Sequence, residues 1–349
     1  MQRGSWQRKN KTGVWDNGKL PELNVLSGIA IICVVLIHSN AGYLLSILGL
    51  KIYTEAGVNV RLLDNFIHGA VPLFIFIAGY KYAFNNSEDE YKTYFFKKMA
   101  RVFRPFLAIS LILFVRDIAM QPEKYSSLGE IGIQILYVLI GKYRPAYQLW
   151  YIPMYLFIAL TYPCIYKVCR SDKVRVGAIA VLVLLHGLLG SRFDFLLERP
   201  FDFVYYYMFF EMGVLFCKHN LKDKIEKWKI PLISAYIAGA VLLTANPIPE
   251  IYDVVQKYLL WSLGIVAYYA LSLILCDNRL LSYLGKYSFY IYLLHEPIIL
   301  TKIFWFIIGL GIYNSHIWVF VVGILALGVS LVLYKIIEKT PIKELLFGK

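Results

Sequence analysis

Ten apolar runs of about twenty residues divide this chain, and they constrain its fold more than any other feature. They fall at about 23–43, 64–84, 104–121, 147–167, 174–190, 201–217, 230–246, 257–276, 287–309 and 317–337. Each is long enough to cross a bilayer as a helix. An eleventh run, Ile131 to Gly141, is too short to span and is expected to lie along the outer interface or to re-enter. With 59% of its 349 residues hydrophobic, the chain exceeds the 45–50% apolar content of a typical soluble domain. The fold expected is an all-α integral membrane protein, a bundle of about ten transmembrane helices in the cell membrane.

Charge placement gives the orientation. With residues near the run ends assigned to the adjoining connector or tail, 26 of the 36 lysines and arginines fall in the N-terminal tail, in every second connector and in the C-terminal tail. Nine fall in the alternate connectors, and Lys302 lies within the ninth run. Cytoplasmic loops carry such an excess, so both termini are expected inside. The parts expected are a cytoplasmic tail at 1–21, a ten-helix domain at 22–337 and a second tail at 338–349. Residues 1–21 carry basic side chains without an apolar core, which is not the pattern of a cleaved signal peptide. The net charge of +13 is distributed over connectors and does not form the basic patch that nucleic-acid binding requires. The five cysteines lie in spans or at their inner ends, which implies no disulfide framework. No metal-ligand spacing, Walker loop, GxGxxG or GxSxG is present, and no resident cofactor is expected.

His38, near the far end of the first run, is the leading functional candidate. A titratable group within a membrane span is costly and reads as functional by default. Neutral imidazole takes a proton from a hydroxyl near physiological pH, as general-base acyl transfer requires. Ser27 lies eleven residues earlier, three helical turns and about 16 Å away on the same face. Arg101 and Arg104, one turn apart before Pro105, could fork onto a phosphate or serve only as an interfacial anchor; Lys97 and Lys98 add to the positive field. His295, Glu296 and Lys302 in the ninth run are expected to face the interior, with His295 and Lys302 on one face and a kink at Pro297. Buried Glu211 needs a cation, for which ninth-run groups are candidates. His68, His186, His219 and His316 sit at run ends or in connectors, where an ordinary role is expected. Tyrosines such as Tyr205 to Tyr207 and Tyr147 to Tyr155 read mostly as interfacial belt residues.

Several short patterns recur in order: Glu22-Leu-Asn24-Val-Leu-Ser27 leading to His38, Val71-Pro72 through Ala78-Gly79-Tyr80, and Arg101-Val-Phe-Arg104-Pro105. Leu149-Trp150-Tyr-Ile-Pro153, Phe210-Glu211-Met-Gly213 and Tyr287-Ser288 through Tyr292-Leu-Leu-His295-Glu296-Pro297 follow. Together, from about residue 20 to 337, they resemble the acyltransferase-3 superfamily of ten-span membrane acyltransferases. The resemblance implies transfer of an acyl group, usually acetyl, from cytoplasmic acyl-CoA to a hydroxyl of an envelope glycan or lipid-linked sugar. It implies His38 as catalytic base, Arg101 and Arg104 as the acyl-CoA site, and Ser27 at a position where the family usually carries arginine. Trp150, Glu211, Tyr292, His295 and Glu296 are candidate pocket-lining residues. Membrane lipid is the other expected partner. The alternatives are a polysaccharide or lipid-linked-sugar transporter, or a catalytically silent family member in which Ser27 has replaced the arginine.

Overall fold

The computed structural model describes residues 20–46, 57–85, 91–197, 203–246, 255–312 and 315–347, and these residues contain helices and no strand. The expectations placed on the N-terminal tail before residue 20 lie outside this set. Each of the ten apolar runs coincides with helix. The first is α1 (Pro21–Ser46). The second is α2 (Val58–Ile67) and α3 (Ala70–Asn85), separated by a turn at His68 and Gly69. The third is α4 (Tyr91–Lys98) and α5 (Arg104–Met120), joined without a break by a π-helical turn at Met99–Phe103. Then come α6 (Leu128–Leu139), α7 (Tyr151–Val168), α8 (Asp172–Leu197), α9 (Phe203–Lys218) and α10 (Lys222–Ala245). A π turn at Val255–Leu260 leads into α11 (Trp261–Ile274). The ninth run is α12 (Arg279–Leu294), a π turn at His295–Ile299 and α13 (Leu300–Gly309); α14 (Ile317–Ile337) and α15 (Lys343–Phe347) follow.

Five described helical stretches are long and apolar enough to cross a membrane: Pro21–Ala41, Val58–Asn85, Leu128–Val168, Lys222–Ala245 and Ile317–Ile337. Leu128–Val168 contains a turn, so it is two helices. Its first part, α6, starts with a capping box in which Ser127 and Glu130 satisfy each other's backbone N–H groups. At 12 residues it is about 18 Å long, too short to span, and none of its side chains is buried. The C-terminal tail folds back: Phe347 of α15 is buried against the rings of Tyr290 and Tyr334, at 5.1 and 5.0 Å.

Two helix pairs approach so closely that only glycine fits between them. A Cβ on Gly28 of α1 would lie 2.1 Å from the carbonyl oxygen of Leu281, and one on Gly285 of α12 would lie 1.8 Å from that of Asn24. Gly79 of α3 and Gly213 of α9 face each other in the same way, with Phe210 and Phe76 carbonyls at 2.0 and 2.1 Å. In a bilayer, helices gain no hydrophobic drive toward each other, so close backbone approach at small residues is what associates them. The Ala78-Gly79 and Met212-Gly213 motifs therefore have a packing function.

The tyrosines depart from the belt expectation. Tyr205, Tyr206 and Tyr207 are buried, with Tyr205 stacked on Tyr206 at 4.3 Å, and Tyr162 and Tyr269 are buried with them. They form an interior aromatic core in which two of the hydroxyls are satisfied: Tyr207 meets Thr161, and Tyr162 donates to Glu211.

Gly285→Ala should cost about 3 kcal/mol, because backbone must move to admit the methyl group. Gly177→Ala in α8, with nothing within 4 Å of the new Cβ, should be neutral or slightly stabilising. Thermal unfolding of the two variants in detergent would check this; equal melting temperatures would contradict the crossing.

Candidate functional site

The Gly28/Gly285 contact aligns α1 and α12 in parallel, and ten residues further on each helix carries a histidine. Their rings, His38 and His295, meet with centroids 5.1 Å apart, tilted by 59°. The two histidines stand at the same offset of ten from their glycines, a relation that has meaning only once the crossing is known. His38 is half-buried, whereas His295 is fully buried.

The π turn sets the orientation of His295. Proline clashes with a helical residue before it, and Glu296 accordingly takes an extended conformation at φ −136°, ψ 143°. His295 Nδ1 lies 2.7 Å from the carbonyl oxygen of Tyr292. A carbonyl can only accept, so Nδ1 carries the proton and Nε2 presents its lone pair. Nε2 is buried with no hydrogen-bond partner. The Glu296 carbonyl released by the break accepts from Gln148 Nε2, and the Gln148 carbonyl accepts from the Tyr292 hydroxyl. Thr301 donates to Glu296 Oε1 at 2.7 Å, while Oε2 is buried without a partner. Gln148 went unnoticed in the sequence because nothing in its neighbourhood marks it. The expected pairing of His295 with Lys302 does not form: the π turn shifts the register, and Lys302 is exposed.

Around the pair, Tyr292 packs its ring 5.8 Å from His295 and 5.7 Å from Tyr151, which in turn meets Phe74 of α3. His68, for which an ordinary role was expected, accompanies the site. Its Nδ1 is 2.8 Å from Asp64, and its ring stacks on Trp261 at 5.5 Å. Asp64 also accepts from Gln256. His316 hydrogen-bonds Asn40 at the end of α1, and His219 reaches Asp172 far from the pair.

Arg101 lies in the π turn Met99–Phe103 and Arg104 begins α5; both are exposed and form no ion pair with a described residue. Ser27 is buried and its hydroxyl donates to the Leu23 carbonyl of its own helix at 2.7 Å, so it is occupied within α1. Trp150 ends the 3-10 segment Arg144–Trp150 with its ring 6.0 Å from that of Tyr206.

A family model for an acyltransferase domain, acyltransferase-3, matches residues 20–335. The chain belongs to the acyltransferase-3 family. No curated protein and no solved structure matches it.

In this acyltransferase-3 chain the buried carboxylate Glu211 is held away from the histidine pair. Its cation is Arg175 of α8 and not a group of the ninth run. Arg175 Nε lies 3.2 Å from both carboxylate oxygens and Nη2 lies 3.0 Å from Oε1, with Tyr162 as a further donor. Arg175 also reaches Asp172 at 2.6 Å, as Lys218 does at 2.7 Å. The geometry gives Glu211 a structural anchoring role between α8 and α9. Burial pushes the Asp172 carboxyl up, but Lys218, Arg175 and His219 outweigh it and hold the group below its ordinary 3.8, at about 2.

Glu211→Ala should destabilise by about 3 kcal/mol, since it leaves the buried Arg175 guanidinium with Asp172 as its remaining carboxylate, and adding Arg175→Met should recover part of that loss. Because the Asp172 value is lowered on folding, its contribution is complete above about pH 4 and is lost as pH falls toward 2. Melting temperatures measured across that window should fall more in wild type than in Asp172→Asn; parallel curves would contradict the assignment.

Proposed function

We propose that this chain is a membrane O-acyltransferase that moves an acyl group, in the simplest case acetyl, from cytoplasmic acyl-CoA to a hydroxyl of an envelope glycan or lipid-linked sugar. The observation that carries this is the half-buried imidazole of His38, set beside His295 within a family of acyltransferases. His38 accepts the proton of the acceptor hydroxyl as that oxygen attacks the thioester carbonyl. The C–O bond forms, the C–S bond breaks, and the departing thiolate takes the proton from His38 and leaves as free CoA. His295 holds the ring of His38 from one side, and the lone pair on its Nε2 faces a site without competing donors.

The membrane arrangement that goes with this reading has ten crossings, both termini in the cytoplasm and His38 in the outer half. Two features support it. All ten apolar runs are helical, and α1 runs parallel to α12, as the first and ninth of ten alternating crossings must. Ser27 stands at the donor end of α1 in this reading, its hydroxyl donating to the Leu23 carbonyl and its oxygen still able to accept.

His38→Ala should lower acyl transfer by about 10²–10⁴-fold while leaving expression and acyl-CoA binding in place. Release of CoA from acetyl-CoA in the presence of envelope glycan, at matched protein levels, is the measurement. Transfer at the wild-type rate would remove His38 from the mechanism. For the orientation, cysteines at positions 61 and 223 in a cysteine-free background should react with an impermeant thiol reagent in intact cells at 61 only. Labelling at 223 would invert the topology and put the donor on the wrong side.

A further inference from the structure

Lys98, the last residue of α4, is a half-buried cation that meets no anion among the described residues. Its ammonium donates to the hydroxyl of Tyr155 and lies over two aromatic faces, 5.0 Å from the Tyr155 ring and 5.2 Å from that of Tyr94. No described carboxylate pairs with it. Lys81, exposed near the end of α3, bears on it as a like charge. A cation held among helices without an opposite charge is costly, and an anion placed beside Lys98 would relieve this.

From Lys98 a continuous series of rings leads to the histidine pair. Tyr155 stacks on Tyr151 at 5.8 Å and 16°. Tyr151 meets Tyr292 at 5.7 Å, Tyr292 meets His295 at 5.8 Å, and His295 meets His38 at 5.1 Å. Tyr155, Tyr151 and His38 are half-buried, so an added molecule could touch them. Along this series of rings the positive charge is at the Lys98 end. A ligand suited to it has an anionic head and a long, flexible, uncharged arm that ends at the imidazoles.

We propose that Lys98 and Lys81 hold the phosphates of the acyl donor and that Tyr155 and Tyr151 carry its phosphopantetheine arm to His38 and His295. This rests on the acyltransferase reading and moves the phosphate contact from the exposed Arg101 and Arg104 to the half-buried Lys98, with Lys81 as an outer charge. The aromatic faces suit the arm because they pack against its methylene and amide groups without demanding a charge. The phosphodiester of an anionic lipid offers the same head chemistry, and the test separates the two sources.

The experiment uses the full chain in nanodiscs of zwitterionic lipid, with acetyl-CoA and adenosine 3′,5′-bisphosphate, which lacks the arm, as calorimetric probes. Lys98→Met should weaken both about tenfold or more, as expected for loss of one charge-assisted contact. Tyr151→Trp, which crowds the track, should weaken acetyl-CoA and leave the bisphosphate unchanged. Tyr155→Phe, a smaller change that spares the fold, should weaken acetyl-CoA severalfold by freeing Lys98 from its hydroxyl partner. If wild type binds acetyl-CoA and none of these variants alters it, the track is wrong and the acyltransferase reading stands. If wild type binds no acyl-CoA, both fall. If adding phosphatidylglycerol to the nanodisc abolishes the effect of Lys98→Met, the lysines belong to lipid and the proposal is overturned.

Discussion

The backbone contact between Gly28 and Gly285 determines where the functional groups of this protein can be. It brings α1 and α12 together at a separation that any side chain would prevent, and it fixes their relative register. Ten residues on, about 15 Å along each helix, that register delivers His38 to His295. A slip of one residue would rotate one imidazole about 100° away from the other. The second glycine crossing, Gly79 with Gly213, fixes α3 on α9 and so holds Phe74 beside Tyr151.

The treatment of buried polar groups divides the interior into two kinds of region. Near Asp172, Arg175 and Glu211 every charge has an opposite charge and the helices are stapled together. Asp117 is satisfied likewise, by Lys124, Tyr125 and Tyr143. Around His295 the satisfaction is incomplete: Nε2 of the imidazole and Oε2 of Glu296 are buried without partners. Leaving a buried polar atom unpaired costs about 1–3 kcal/mol, which a packed anchor would avoid and a binding site has reason to retain. The π turn belongs to this second region, since the break at Pro297 releases the Glu296 carbonyl to Gln148 and turns the helix after His295.

Much of the helical layout was legible in the sequence, because a run of twenty apolar residues admits few conformations in lipid. His38, His295 and Tyr292 were legible as candidates for the same reason: polarity at membrane depth is rare. What the pattern did not carry was long-range pairing. Glu211 announced that it needed a cation, but Arg175 read as one more basic residue of a connector. Tyr205 to Tyr207 read as a belt, since hydropathy records amphipathic side chains and not the hydroxyl partners that let them go inside. Lys302 was placed on the face of His295 by carrying regular α-helical spacing across the expected kink, and the π turn shifts that spacing. The role of Ser27 in its own helix also lay below what spacing can show.

The most direct test of this account is proximity between the two histidine positions in the membrane-embedded protein. Cysteines would replace His38 and His295 in a background lacking the five native cysteines, with a protease site introduced between α1 and α12. A bifunctional thiol reagent with a short spacer should then keep the two fragments together, and a pair at 38 and 302 should stay separate. If the 38/295 pair fails to join, or 38 joins 302 as readily, the parallel register set by Gly28 and Gly285 is wrong, and the site built on it goes with it.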